Sequence, residues 1–185
     1  MLKLFKMWLK AGQLTTSELQ PDMGTATLEL EKLNQLTRAD RKALGRSLLI
    51  RHLDVGSNNA EEAELVALSS PYYDISRFGI DFTASPRHAD VLAVTGPVTR
   101  QLKIAMERTY TAVPKPCLIV AIGDGACYGE PYGKSYACLG TVDQFLPVDV
   151  YIPGDPPSPA EILSGLLACK KLLGQEHLVP GTGAR

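Results

Sequence analysis

The chain has 185 residues, of which 45% are hydrophobic and 21% charged, with a formal net charge of −1. That length supports one domain with a full core, the apolar content excludes a long disordered chain, and the near-zero charge excludes a global basic field that recruits nucleic acid. No apolar run approaches the roughly 18 residues that a membrane-spanning helix needs.

The first segment, Met-Leu-Lys-Leu-Phe-Lys-Met-Trp-Leu-Lys-Ala-Gly over residues 1–12, carries three Lys and no acid. Lys3, Lys6 and Lys10 fall on one helical face; Leu4, Phe5, Trp8 and Leu9 fall on another. A secretory signal needs a longer uncharged centre and a small-residue cleavage site. Two readings stand: a helix lying at a membrane surface or against a membrane subunit, or an amphipathic helix docked on this or a partner protein. Residues 13 to about 47 are polar, with Thr15, Thr16, Ser17 and Pro21 indicating an extended or irregular arm. A helical stretch is expected near Leu28 to Leu44. The arm has too little apolar content for a core of its own and is expected to wrap a neighbour.

From Ser47 the texture changes. Leu48 to Asp54 reads as a buried strand running into a turn at Gly56, and Ala60 to Ser69 as a helix with Leu65 and Leu68 on one side. Asp81 to Ala84 reads as a short strand. Asp90 to Gly96 and Cys117 to Gly123 are apolar runs bounded by turn signals, as in parallel sheets. Arg100 to Tyr110 reads as the helix between them, and Val148 to Ile152 as a further strand. Pro159 suits the first turn of a last helix over Ala160 to Leu173. The expected organisation is a helix and arm over 1–46, an α/β domain over 47–174 and a flexible tail over 175–185. Strands alternating with helices favour right-handed crossovers. The fold class expected is α/β: a flavodoxin-like parallel sheet with helices on both faces, plus an extended N-terminal arm. Ligands gather at the carboxyl ends of such strands. The loops that begin at Gly56, Gly96, Gly123 and Gly154 are therefore expected to converge on one edge.

The four cysteines, Cys117, Cys127, Cys138 and Cys169, include no Cys-x-x-Cys pair, so zinc and thioredoxin spacings are absent. Disulfides are not expected, and Cys117 and Cys169 read as small buried apolar residues. Gly123 and Asp124 hint at a phosphate loop, but no Gly-x-x-x-x-Gly-Lys-Ser/Thr, strand-borne Gly-x-Gly-x-x-Gly or Gly-x-Ser-x-Gly string is present.

Several long strings carry a resemblance. They are Arg51 to Ser57, Pro71 to Ile80, Ser85 to Asp90, Val94 to Thr99, and Pro147-Val148-Asp149-Val150-Tyr151-Ile152-Pro153-Gly154. In this order, over roughly residues 46–173, the chain resembles the small iron–sulfur subunit shared by respiratory complex I and energy-converting nickel–iron hydrogenases. It is most similar to the branch of formate hydrogenlyase and hydrogenase-4. The family binds one 4Fe–4S cluster through four cysteines. The resemblance places those ligands at Asn58, Glu61, Gly125 and Asp155, none of them Cys. Thiolates are what hold and tune such iron. The cofactor expectation is therefore none.

The resemblance implies a large-subunit homologue of the complex I 49 kDa or hydrogenase type as partner, with membrane subunits beside it. It also implies peripheral attachment, through residues 1–12, at the cytoplasmic face of the cell membrane. Glu61, Glu62, Glu64 and Asp155 are expected around one cavity, with His88 not far away; they either relay protons or fill space by bonding to loop backbone. Glu64, Arg77, Arg87 and His88 match family positions and are candidates for proton or partner contacts, with loop anchoring the other reading for Arg87. The leading expectation is a non-redox structural or coupling subunit. The alternatives are an electron-transfer subunit that keeps its cluster through unusual ligands, and a module binding a hard divalent cation or small anion.

Overall fold

The computed structural model describes residues 27–28 and 47–174. Its strands are β1 (Thr27–Leu28), β2 (Leu48–Asp54), β3 (Ile80–Phe82), β4 (Val91–Thr95), β5 (Val98–Thr99), β6 (Leu118–Ile122), β7 (Cys138–Gly140) and β8 (Val150–Ile152). Its helices are α1 (Ala60–Ala67), α2 (Lys103–Ala112), α3 (Asp124–Tyr128) and α4 (Pro159–Gly174). Short 3-10 turns at Ile75–Phe78 and Pro86–His88 lead into β3 and β4.

The central strands explain the architecture. Every residue of β4 and β6 is buried, as covering on both faces requires. The main sheet runs β1-β8-β6-β4-β2-β3, with five parallel strands from β8 to β3 and β1 antiparallel at the edge. Counting only the parallel strands, the order is that of a flavodoxin-like sheet. Its direction of winding reverses between β2 and β4, where open α/β sheets form their binding crevice.

Side-chain alternation divides the core in two. Leu48, Ile50, Val91, Ala93, Leu118, Val120, Ile122, Val150 and Ile152 face one side, where α1 adds Leu65 and α4 adds Ile162, Leu163 and Leu166. Leu92, Val94, Ile119 and Ala121 face the other, where α2 adds Met106 and α3 adds Ala126 and Cys127. Each fully buried Leu or Ile contributes about 1.5–3 kcal/mol against exposure.

The expected strands and helices from Leu48 to the last helix are present, with ends shifted by a few residues. The arm differs. Thr27 and Leu28 pair with Tyr151 and Val150 of this chain's own sheet, so this piece of the arm caps the β8 edge. The two-stranded β5–β7 ribbon was not foreseen; its strands are only two and three residues long, too short for periodicity to register. The amphipathic start, the rest of the arm with its helical stretch, and the tail after 174 lie outside the described residues. Among the described residues no helix is long and apolar enough to cross a membrane.

Candidate functional site

The four loops predicted to converge do so. Asp54 at the end of β2 starts the first: its Oδ1 accepts from the backbone N–H of Gly56 (2.7 Å) and Ser57 (2.8 Å), the usual way an Asp side chain stabilises a turn. The loop after β4 lies directly on it. Gly96 has φ +73°, and a Cβ there would fall 2.1 Å from Ser57 N, so both conformation and space demand glycine. The loops after β6 and β8 are strapped together, since Asp124 N–H donates to Gly154 O (2.8 Å) and Gly154 N–H donates to Asp124 Oδ1 (2.7 Å).

Into this edge fall the four positions that the resemblance assigns to cluster ligands. Asn58 is exposed, and its Oδ1 accepts from Ala60 N–H at 2.9 Å. Gly125 is buried, and a Cβ on it would meet Pro97 Cδ at 2.9 Å and Gly96 Cα at 3.3 Å. Asp155 is exposed on the last loop. Glu61 is 3% exposed, and its Oε1 lies 2.5 Å from where a Cβ on Gly123 would stand. The carboxyl of Glu61 thus occupies buried space against the third loop. Its other oxygen, Oε2, has no hydrogen-bond partner among the described residues. An amide, two carboxylates and a glycine do not fit a cluster that requires thiolates. Cys127 does not supply one. Its Sγ donates to Ala121 O at 3.6 Å inside the core, and burial, with added push from Asp124 and Asp143, raises the thiol to about 12 despite an opposing backbone contact from Ile152.

Burial, reinforced by the charges of Glu62, Asp155 and Asp54 and opposed by its own backbone N–H, raises the Glu61 carboxyl above its ordinary value of 4.5. A group raised on folding keeps its proton to higher pH in the folded than in the unfolded chain. The resulting stability is complete below 4.5 and is lost as pH rises through the folded value. Glu61→Gln cannot ionise. Its urea midpoint is expected to gain on the wild type as pH rises from about 4.5 to neutrality. A wild-type-to-variant difference that stays constant over that range would contradict the buried-acid assignment.

Glu62 points elsewhere, because successive helical residues are turned by about 100°. It gathers three elements around itself. Ser57 Oγ donates to Glu62 Oε2, and Thr95 Oγ1 donates to Glu62 Oε1 at 2.5 Å. His52 Nε2 lies 2.9 Å from Thr95 Oγ1 and 3.4 Å from Glu62 Oε1. Burial disfavours the Glu62 charge, but the Ser57 and Thr95 hydroxyls, its backbone and His52 outweigh it and hold the carboxyl below the ordinary range. His52 is lowered chiefly by burial, assisted by Arg51 and opposed by Glu62 and Asp54. The pair is therefore neutral imidazole beside carboxylate at neutral pH.

This network forms the polar end of a cleft of about 390 Å³ lined by Arg51, His52, Glu62, Leu65, Val66, Ser69, Phe82, Thr83 and Ala84. Of the acids expected around one cavity, only Glu62 lines it. Glu64 is half-buried on α1. His88 and Arg87, both exposed, sit in the turn before β4, at the amino end of the sheet, opposite the converging loops. The expected proximity of His88 to the acids is therefore not found. Arg77 lies at that same end and stacks over Phe78 at 4.7 Å. Among the described residues no three His, Cys, Asp or Glu side chains group closely enough to hold a metal ion. His52 and Thr95 escaped sequence reading; the available signal was a histidine in a strand that starts apolar, one strand away from a buried threonine.

The chain has similar proteins. A probable membrane-bound hydrogenase subunit, mbhJ, of Pyrococcus furiosus is 42% identical over 132 residues, covering 71% of this chain and 79% of that protein. A chain of the membrane-bound sulfane sulfur reductase, an archaeal respiratory membrane complex, superposes with a TM-score of 0.65 at 29% identity, over 76% of this chain and 78% of its own. A chain of an NAD+-reducing [NiFe]-hydrogenase in the H2-reduced state shares the fold alone, with a TM-score of 0.51 at 15% identity over 76% of this chain and 99% of its own. The family described as NADH ubiquinone oxidoreductase, 20 Kd subunit, matches residues 59–169, a span that starts in the first converging loop and takes in the other three. With a family match over residues 59–169 and a relative 42% identical over 71% of the chain, the chain belongs to the NADH ubiquinone oxidoreductase 20 Kd subunit family.

Proposed function

We propose that this chain is a non-redox structural and coupling subunit of a membrane-associated complex related to complex I and the nickel–iron hydrogenases. The observation that carries this reading is the Glu61 carboxyl, buried against Gly123 where the family places a cluster-bound thiolate, with Gly125 shut against Pro97. Electron transfer through this subunit needs a cluster, and the residues present hold none of the required sulfur ligands. What remains is a rigid α/β body with a defined loop edge, suited to bracing a large-subunit homologue against membrane subunits.

Two relatives support the assembly. One is a probable membrane-bound hydrogenase subunit, and the other belongs to an archaeal respiratory membrane complex. Residues 1–12, which carry three Lys and no acid among several large apolar residues, supply the peripheral contact at the cytoplasmic side of the cell membrane. The tail after 174 plays no part in the proposal.

The test is purification of the tagged full chain from detergent-solubilised membranes beside a variant lacking residues 1–12. The full chain is expected to bring down a large-subunit homologue and integral membrane subunits. The truncated chain is expected to keep the large subunit and lose the membrane ones. Equal recovery of membrane subunits by both forms would overturn the attachment, and a full chain that purifies alone would overturn the assembly.

A further inference from the structure

The cleft beside α1 is lined from β2, α1 and the end of β3, and the network that His52 and Glu62 join at its polar end leaves little freedom in where hydrogens sit. Thr95 has one hydroxyl hydrogen, and at 2.5 Å it is committed to Glu62 Oε1. At the 2.9 Å contact with His52, Thr95 Oγ1 must then accept, so the imidazole carries its hydrogen on Nε2. Neutral His52 is left with a bare acceptor, Nδ1. The side chains of His52 and Glu62 keep 27% and 17% of their surface exposed, so solvent in the cleft reaches the pair. On the far side, Ser57 Oγ ties Glu62 to the loop after β2.

From this geometry we infer that His52, Thr95 and Glu62 form a proton-exchange site opening on the cleft. The inference deepens the coupling role proposed above and rests on it. The step is simple to balance. A hydronium ion in the cleft gives one proton to Nδ1 and leaves water; His52 becomes an imidazolium whose Nε2–H still points at Thr95, and Glu62 supplies the counter-charge. Concerted passage of the Nε2 proton to Thr95 Oγ1 and of the Thr95 proton to Glu62 Oε1 then delivers one proton to Glu62 and leaves His52 neutral in the other tautomer. The charged groups facing His52 are Glu62 from α1 and Asp54 and Arg51 from its own strand; β4 contributes the uncharged Thr95. The cleft walls of Leu65, Val66, Phe82 and Ala84 are apolar, which limits screening of the pair by bulk water.

The experiment is a long-range nitrogen–proton NMR titration of the imidazoles in the full chain, wild type, Glu62→Gln and Thr95→Val. In the wild type, His52 is expected as the Nε2–H tautomer near neutral pH and to take up one proton on acidification. Glu62→Gln is expected to weaken proton affinity about tenfold or more, as removal of an adjacent opposite charge does. Thr95→Val is expected to release the tautomer preference. An Nδ1–H tautomer in the wild type overturns the inference and needs no variant to be stable. So does a midpoint that Glu62→Gln leaves in place. Either failure leaves the assembly test untouched. Conversely, a chain that purifies alone removes the coupling role while the titration still reports on the site.

Discussion

Iron and acid-labile sulfide are expected to be absent from the anaerobically purified, isolated chain, together with the broad absorption near 400 nm that 4Fe–4S proteins show. The size of this effect is all or nothing: zero or about four irons per chain. The physical ground is ligand chemistry and space together. Asn58 is already bonded to Ala60 N–H, Gly125 has no side chain and no room for one, and Asp155 is a hard oxygen donor on an exposed loop. Glu61 has turned its carboxyl into the protein against Gly123. The nearest buried sulfur, Cys127, is an uncharged thiol bonded into the core. Four irons per chain would overturn the non-redox proposal outright, and Cys127, Cys138, Glu61 and Asp155 would be the residues to mutate next.

Truncation of Glu62 is expected to be the most damaging single change at the loop edge. Glu62→Ala strips the acceptor from Ser57 and Thr95 and the counter-charge from His52. Hydrogen bonds to a charged group are each worth about 1.5–3 kcal/mol, and donors left buried cost a comparable amount. A loss of about 1.5–3 kcal/mol in urea unfolding is therefore expected. Glu62 also stands in the first turn of α1, where a negative charge is favourable to the helix. Glu64→Ala, on the same helix but outside this network, is expected to stay within about 0.5 kcal/mol of wild type. Equal effects for the two variants would mean that the network contributes nothing specific.

The reach of sequence reasoning differed from one feature to the next. Strands β4 and β6 were legible because each is a short run of apolar residues, broken only by Thr95 at the end of β4, that runs into a glycine. The β5–β7 ribbon and the pairing of Thr27 and Leu28 with β8 were not, because strands this short have no period to read. Which way each acid of α1 turns was not legible, because adjacent helical residues differ by about 100°: Glu61 lies against Gly123, within reach of the charges of Glu62 and Asp155, and Glu62 bonds to Thr95. His88 falls away from the acids because a match to a family motif carries no information on which end of a strand a turn precedes.

By itself the sequence determined the alternation of strands and helices and the carboxyl edge on which the loops after β2, β4, β6 and β8 meet. Both follow from residue type and local order, whereas the four non-Cys ligand positions are read from the family resemblance. Only the tertiary structure decided that His52, Thr95 and Glu62 share one network. Their hydrogen bonds span 43 and 33 residues, and the contact exists because the parallel register sets His52 opposite Ala93 and Asp54 opposite Thr95 while α1 packs back over that end of the sheet. Register is set by the burial of whole strand faces, a sum over many side chains that no short motif contains.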